Sequence, residues 1–402
     1  EEDSQGGGGG APADFVAGLA WTNFSSSPWD ALGVVGDASV EARLNGTGFP
    51  VARAVVDVYL SGHACDEFFY TNVPDDDQDD DATAGACGGG TYREVQVLID
   101  GVLAGSAVPF GVVYSGGLDP LLWRPLAGVA SFAVPPYRFD ATPFAARLAE
   151  GGVTVEVRVV GANDASGVWY VDPVVLAWRA ADDVVAVTEL SMNAWNESSL
   201  QVDDVNTTTS ARSRAFSTTG RSQFGVSATL EFSSSGGTVP VAAGPKKNHV
   251  FLRESPPPRA DLEKKTPAAS SSTVVTVSVE TNSTYSNLNE MRGVAFQHVE
   301  ALATSTTRVT VNTTTQDSTT TTSSEFPLSV VLEGETTTLS LARRRRFDTA
   351  DASVAWVSAA NGTADLVASG ASDVGDATTR ADVVLDVGAC AYDWVAVATN
   401  GS

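Results

Sequence analysis

The sequence has few basic residues and no long apolar run. Lysine and arginine together number 24, against 49 aspartates and glutamates, so the formal net charge is −25 at pH 7. Proteins that bind nucleic acid concentrate Lys and Arg on one face, so this balance argues against a nucleic-acid partner. No segment approaches the roughly 18 apolar residues of a membrane-spanning helix, so no insertion into a membrane is expected.

Cysteine is also scarce, with three residues in the chain. Cys65 and Cys87 flank an acidic loop and are expected to form a disulfide in an oxidising compartment. For a loop of this length the entropy model gives roughly 3 kcal/mol of stabilisation. Cys390 is left over.

Eight of the 14 asparagines lie in the N-glycosylation sequence Asn-x-Ser/Thr. They are Asn23, Asn45, Asn196, Asn206, Asn282, Asn312, Asn361 and Asn400. Because Ser and Thr make up roughly a fifth of the chain, chance alone would give about three such sites. The excess predicts a secretory route, to the extracellular space, the cell wall or the vacuole. The chain shows no charged-then-apolar leader, so a signal peptide is expected to have been removed or never to have belonged to it.

Composition divides the chain into three parts. Residues 1–12, acidic and then glycine-rich, predict a disordered lead-in. A single core stops growing near about 250 to 300 residues, so two β domains are predicted, over residues 13–185 and 186–402. Strands are expected in the second of these at Val274–Glu280, Thr307–Val311, Leu328–Leu332 and Ala352–Ser358.

Local patterns in the first domain favour strands and hairpins. Residues Val153–Val159 alternate apolar and polar side chains, as a strand with one buried face does. Asp100-Gly101 separates two alternating runs and predicts a two-residue hairpin turn. One short helix is predicted, with Thr142 as its cap, Pro143 at its first position and Gly151 at its end.

In the second domain, Asn361-Gly362 predicts another hairpin turn. Ser255–Pro258 and the Thr-rich residues 313–324 are expected to be exposed loops. The basic run Arg343–Arg346 is compatible with a solvated strand end, a nuclear signal or a protease processing site, and the first of these is favoured.

The most informative segment is His63–Asn72, which places Asp66 and Glu67 in an aromatic patch after a strand-like run. Apolar surroundings penalise a carboxylate charge, so an acid here is a candidate site residue. The alternative is a solvated turn that the disulfide holds. His63 is expected to pack or donate a hydrogen bond rather than act as a base.

Four further clusters follow in order, at Thr91–Val95, Gly116–Pro125, Pro136–Phe144 and Gly167–Asp172. Together with the first segment, this series resembles the plant-type peptide-N4-(N-acetyl-β-glucosaminyl)asparagine amidases over roughly residues 11 to 180. The resemblance implies a jelly-roll β-sandwich that hydrolyses the amide bond of N-linked glycans in glycopeptides, releasing a glycosylamine and leaving Asp. It implies no cofactor.

Carried over position by position, the resemblance implies catalytic roles for Glu67 and Asp66. It also implies substrate-binding roles for Arg93, Glu94, Trp123, Trp169 and Asp172. The alternatives are an exposed strand pair for Arg93 and Glu94, a core position for Trp123 and a turn at Asp172 before Pro173.

Two departures from the family pattern stand out. Asp75–Asp81 is more acidic than the corresponding loop and is expected to be a solvated run, with a calcium site as the alternative. Family members usually carry an upstream sandwich with an aromatic-Asp-Arg element, of which Trp29–Ala31 is the nearest imitation here. The alternative is therefore a non-catalytic carbohydrate-binding sandwich, or an inactive fragment that lacks the upstream catalytic sandwich.

Overall fold

A computed structural model of the protein describes residues 13–18, 33–34, 39–75, 86–109, 136–162, 167–206, 213–235, 271–292, 295–314, 316–333, 336–350, 353–366, 372–385 and 390–398. This part of the chain is an all-β protein, as predicted, built from antiparallel sheets. The jelly-roll connectivity stays a prediction.

The described strands, numbered in chain order, are β1 (Phe15–Gly18), β2 (Gly33–Val34), β3 (Ser39–Leu44), β4 (Val51–Ala64), β5 (Glu94–Ile99), β6 (Val102–Ala107), β7 (Tyr137–Asp140), β8 (Val153–Val160), β9 (Gly167–Arg179), β10 (Val184–Asn206), β11 (Ser213–Ser234), β12 (Ser271–Arg292), β13 (Ala295–Thr313), β14 (Asp317–Glu333), β15 (Thr336–Asp348), β16 (Ser353–Leu366), β17 (Ser372–Leu385) and β18 (Cys390–Ala398). The helices are α1 (Ala145–Glu150) and two 3₁₀ turns at Phe69–Thr71 and Thr142–Phe144.

The described strands form three sheets. The first has the order β1-β9-β4-β7, with β2 also on β9, and the second has the order β3-β8-β5-β6. The third is a meander in which β10 to β18 pair in sequence order. In the first sheet Val56 lies opposite Val175, and in the second Val97 lies opposite Val157. All four side chains are fully buried.

One hydrophobic core contacts all three sheets. Val56 of the first sheet and Val157 of the second belong to the same cluster as Leu230 and Val277 of the third. Apolar and polar side chains alternate along each strand, and residues two apart share a face, so each sheet presents one apolar face to this cluster. The meander therefore packs its apolar face onto the other two sheets and contributes side chains beside the acidic motif.

Several local predictions are confirmed. Strand β8 covers the alternating run, with its odd-numbered side chains buried. Asp100 and Gly101 have φ values of 49° and 75°, the left-handed pair that a two-residue hairpin requires. Cys65 and Cys87 form a disulfide with a Cα–Cα distance of 5.5 Å. The expected strands of the second half lie within β12, β13, β14 and, from Ser353, β16.

The predicted helix ends at Gly151 as expected, but its cap is wrong. Thr142 already lies in the 3₁₀ turn that precedes α1. The backbone amide of Thr142 donates a hydrogen bond to the Asp140 carboxylate (3.0 Å). The Thr142 hydroxyl instead donates to the Ala54 carbonyl (3.3 Å). The Thr142 side chain therefore connects this 3₁₀ turn to β4.

Two predictions for the second half are also wrong. Asn361-Gly362 is not a turn but lies within β16, next to an irregularity in its pairing with β17. Residues 317–324 of the Thr-rich segment form part of β14, with a turn before them in which the Thr313 amide donates to the Gln316 carbonyl (3.0 Å). In both places the long antiparallel ladder overrides the local turn signal, and β-branched Thr suits a strand.

The basic run Arg343–Arg346 lies within β15, which continues to Asp348, and Arg343 is buried, so the favoured prediction of a solvated strand end is wrong for that residue. Among the described residues, no helix is long and apolar enough to cross a membrane. Several predictions fall outside the described residues: the lead-in 1–12, Trp29–Ala31, most of the acidic tract, the cluster 116–125 and Ser255–Pro258.

Candidate functional site

Strand β4 ends at Ala64, and the chain turns there to form the acidic motif. The Asp66 amide donates to the His63 carbonyl (3.0 Å), and the Glu67 amide donates to the Ala64 carbonyl (3.1 Å). A side chain at Gly62 would lie 2.4 Å from the Asp66 carbonyl oxygen, so only glycine permits this approach. The two adjacent acids therefore lie on a tight turn at the end of a central strand.

The Asp66 carboxylate is fully buried and accepts three hydrogen bonds from side chains. The Arg93 guanidinium donates through Nη2 to Oδ1 (2.6 Å) and through Nε to Oδ2 (3.2 Å). The Trp169 indole Nε1 donates to Oδ2 (2.5 Å). Arg93 is also fully buried and Trp169 is 2% exposed. We call these three residues the Asp66 clamp; both carboxylate oxygens are occupied by donors.

Arg93 also fixes the loop that precedes β5. Its Nη1 donates to the carbonyl oxygens of Gly89 (3.0 Å), Gly90 (3.0 Å) and Tyr92 (2.7 Å). Its Cζ lies 5.5 Å from the centroid of the Phe69 ring. Arg93 therefore joins the motif turn to a glycine loop through one buried charge.

The disulfide reinforces the same junction. Cys65 precedes Asp66 in the turn, and Cys87 precedes the glycine loop. The Val73 amide donates to the Cys87 carbonyl (2.8 Å), and the Gly90 amide donates to the Val73 carbonyl (2.9 Å). The covalent link and these bonds hold the turn and the loop together from two sides.

Glu67 differs from its neighbour because it is half-buried and outside the clamp. Its side chain makes no hydrogen bond to another residue in the described part of the chain. Burial, and secondarily the Glu67 charge, raise the pKa of the Tyr70 hydroxyl. Within the motif, Glu67 is thus the carboxylate able to meet a ligand from solvent, while Asp66 fixes the turn.

Glu94 points away from the clamp and is bound between two sheets. It is 2% exposed and accepts hydrogen bonds from Tyr92 Oη (2.7 Å), Ser222 Oγ (2.8 Å) and Gln96 Nε2 (3.2 Å). Burial, and then the Glu94 carboxylate, raise the pKa of Tyr92. Arg93 and Glu94 are therefore not an exposed strand pair. They also have different partners, since Arg93 binds Asp66 whereas Glu94 binds Ser222.

Strand β12 supplies polar side chains that the sequence analysis missed. Asn287 Nδ2 donates to the Tyr70 carbonyl (3.0 Å), and Asn289 Nδ2 donates to the Thr71 carbonyl (2.8 Å). Both asparagines are buried, so strand β12 of the meander fixes the backbone at Tyr70 and Thr71, which follow Glu67. The alternating polar positions Tyr285, Asn287 and Asn289 on one strand face were the available signal.

A group of buried oxygens next to these contacts has no hydrogen bond within the described residues. They are Thr91 Oγ1, Tyr285 Oη, Asn287 Oδ1 and Asn289 Oδ1. Burial raises the pKa of the Tyr285 hydroxyl, and the Thr91 and Asn287 side chains lie close enough to that hydroxyl to oppose part of the rise. Buried groups of this kind usually bind water or a ligand, so these four oxygens can accept or donate further hydrogen bonds to a ligand.

The remaining candidate residues lie apart. Trp169 has its ring against Phe69 (centroids 5.9 Å apart), which leaves no face of the indole open to a sugar in this structure. Asp172 is exposed, lies within β9 rather than in a turn, and is on the opposite sheet face from Trp169. His63 stacks on Tyr170 with ring centroids 4.3 Å apart, and burial lowers its pKa.

Trp123 lies outside the described residues. No group of three metal-ligating side chains occurs among the residues that the structure describes. The site therefore consists of the clamp, the half-buried Glu67 and the polar face of β12. Its chemistry is that of a carboxylate beside buried hydrogen-bonding groups, which suits proton transfer.

Comparisons with known proteins match the part of the chain that contains the acidic motif. Residues 11–204 match the family described as peptide N-acetyl-beta-D-glucosaminyl asparaginase amidase A. Over 128 residues the chain is 40% identical to the peptide-N4-(N-acetyl-beta-glucosaminyl)asparagine amidase A of Prunus dulcis. That match covers 31% of this chain and 22% of the relative, so the chain spans under a quarter of the relative's length. No solved structure matches the chain.

Proposed function

We propose that the protein hydrolyses the amide bond between an N-linked glycan and asparagine, because residues 11–204 match the peptide N-acetyl-beta-D-glucosaminyl asparaginase amidase A family. The substrate is a glycopeptide or glycoprotein. The observation that carries the proposal is the half-buried Glu67 beside the Asp66 clamp, within the matched region.

In the proposed reaction Glu67 acts as general base and then as general acid. It takes a proton from a water molecule, whose oxygen attacks the carbonyl carbon of the glycosylated asparagine side chain. The carbon–nitrogen bond then breaks as Glu67 returns the proton to the nitrogen. The sugar leaves as a glycosylamine, and the peptide keeps an aspartate.

The other groups have supporting roles in this proposal. The Asp66 clamp fixes the turn that presents Glu67, and the Arg93 charge is paired with Asp66, the residue that precedes Glu67. The oxygens of Thr91 and of the β12 side chains that lack a hydrogen-bond partner among the described residues are suited to bind sugar hydroxyls or the amide of the substrate. Holding the substrate amide in the right geometry next to Glu67 would lower the entropic part of the reaction barrier.

The direct test is hydrolysis of an N-glycopeptide in water enriched in heavy oxygen. We expect the product peptide to carry Asp in place of Asn, with one heavy oxygen in its side chain, as mass spectrometry would detect. Glycan binding without any conversion would instead support the non-catalytic carbohydrate-binding alternative. Neither binding nor conversion by the folded protein would contradict both.

A secretory route is part of the same proposal. It is supported by the disulfide and by the exposure of four sequons, at Asn45, Asn196, Asn282 and Asn312. Intact mass of the protein purified from a secreting host, before and after enzymatic removal of its glycans, would test it. An unchanged mass would count against the route.

A further inference from the structure

The arginines of the run Arg343–Arg346 point alternately to the two faces of the third sheet, as successive strand residues do. Arg344 and Arg346 lie on the outer face and each has an acidic partner. Arg344 Nη1 lies 2.5 Å from Glu325 Oε1, and Arg346 Nε lies 2.9 Å from Asp348 Oδ1. Their charges are thus balanced at the surface.

Arg343 and Arg345 lie on the inner face, and neither has an acidic partner among the described residues. Arg343 is 9% exposed, and its Nε is buried without a hydrogen-bond acceptor in the described part of the chain. Its Cζ lies 5.5 Å from the centroid of the Phe326 ring, which covers one side of the guanidinium. Among the described residues, neither arginine lies within ion-pair distance of a carboxylate.

A third arginine from the first sheet completes the group. Arg345 interacts electrostatically with Arg343, with Arg138 of β7 and with Asp57 of β4. Asp57 is already bound by Arg138, whose Nε and Nη2 donate to its two oxygens at 2.7 and 2.6 Å. Arg138 and Arg345 thus share one carboxylate, and among the described residues no carboxylate forms an ion pair with Arg343 or Arg345.

This arrangement is electrostatically unfavourable as it stands. Burial, and then the neighbouring Arg343 charge, lower the pKa of Arg345 to about 10. Burial also lowers the pKa of Arg343. Buried charges in proteins are normally paired, and a guanidinium with an unused N–H donor is the preferred partner of oxyanions, which it binds through its planar fork.

We propose that Arg343, Arg345 and Arg138 form a binding site for an oxyanion, at the junction of β15 with β7. The ligand is a sulfate, phosphate or carboxylate group, bound by the Nε of Arg343 and the guanidinium of Arg345. The site lies outside the acidic motif and does not depend on amide hydrolysis.

The test is titration of the purified protein with sodium sulfate, sodium phosphate or sodium acetate by calorimetry, at constant ionic strength set with sodium chloride. Wild type is compared with the inner double variant Arg343→Gln/Arg345→Gln. The matched control is the outer double variant Arg344→Gln/Arg346→Gln, which has the same change in net charge. General salt effects on stability act equally on both variants.

We expect wild type and the outer variant to bind at least one of the three anions with dissociation constants within twofold of each other. The inner variant should bind at least about tenfold more weakly, since loss of a single charged hydrogen bond has that effect. Comparing the anions separates a tetrahedral ligand from a carboxylate. Absence of saturable binding to wild type, or equal weakening in both double variants, would overturn the proposal.

A second variant covers the case in which the inner double variant does not fold. Arg345→Lys keeps the charge and loses the planar fork. We expect it to weaken anion binding several-fold, and unchanged affinity would contradict the assigned geometry.

Discussion

Removal of the Arg93 guanidinium tests how the motif turn is stabilised. Arg93→Met fills a similar volume but leaves the fully buried Asp66 carboxylate with the Trp169 indole as its one remaining clamp donor. It also leaves the carbonyls of Gly89 and Gly90 without their guanidinium donor. Breaking a buried ion pair typically costs about 3–5 kcal/mol, and we expect the free energy of unfolding to fall by that amount.

Urea denaturation followed by tryptophan fluorescence measures this loss. The control is Arg158→Met, which breaks an ion pair with Glu156 whose arginine is 44% exposed, and it should cost under about 1 kcal/mol. Asp66→Asn/Arg93→Met removes both charges and should cost less than the sum of its single variants. A loss in Arg93→Met no larger than in the control would refute the claim that the clamp stabilises the turn.

Three further predictions concern other parts of the structure. Cys65→Ser removes the disulfide to Cys87 and should lower the free energy of unfolding by roughly 3 kcal/mol, a loss that reduction of wild type should reproduce in the same urea titration. Ser222→Ala removes a donor from buried Glu94 and should cost about 1–3 kcal/mol; an unchanged urea midpoint would contradict this. Burial raises the pKa of Asp140 above 3.8, so the folded state binds that proton more tightly than the unfolded state does. Asp140→Asn should therefore stabilise the protein at pH 7, with a gain that disappears as the pH falls through the raised pKa; a gain independent of pH would refute this.

Local signals in the sequence were sufficient for features that depend on neighbouring residues. The alternation of Val153–Val159 identified β8, and Asp100-Gly101 identified a hairpin, because strand period and turn conformation are set locally. At Asn361-Gly362 the same kind of signal was wrong, since pairing along a 14-residue strand outweighs one turn preference.

Features that depend on sheet order were not accessible in this way. Asp66 and Glu67 are adjacent in sequence, and nothing local shows that the first is enclosed by Arg93 while the second is half-buried. The contacts of Asn287 and Asn289 cross more than 200 residues of chain, as their sequence separations of 217 and 218 show. Only the packing of the meander onto the motif brings them there.

We propose that Glu67 is the acid–base group of an N-glycan amidase, and the rate of Asn-to-Asp conversion in Glu67→Gln decides whether it is. The control is Glu41→Gln, which alters an exposed carboxylate on β3. We predict a loss of roughly 10²–10⁴-fold for Glu67→Gln, the usual contribution of general acid–base catalysis, with wild-type activity in the control and unchanged unfolding midpoints in both. Full activity in Glu67→Gln would contradict the account.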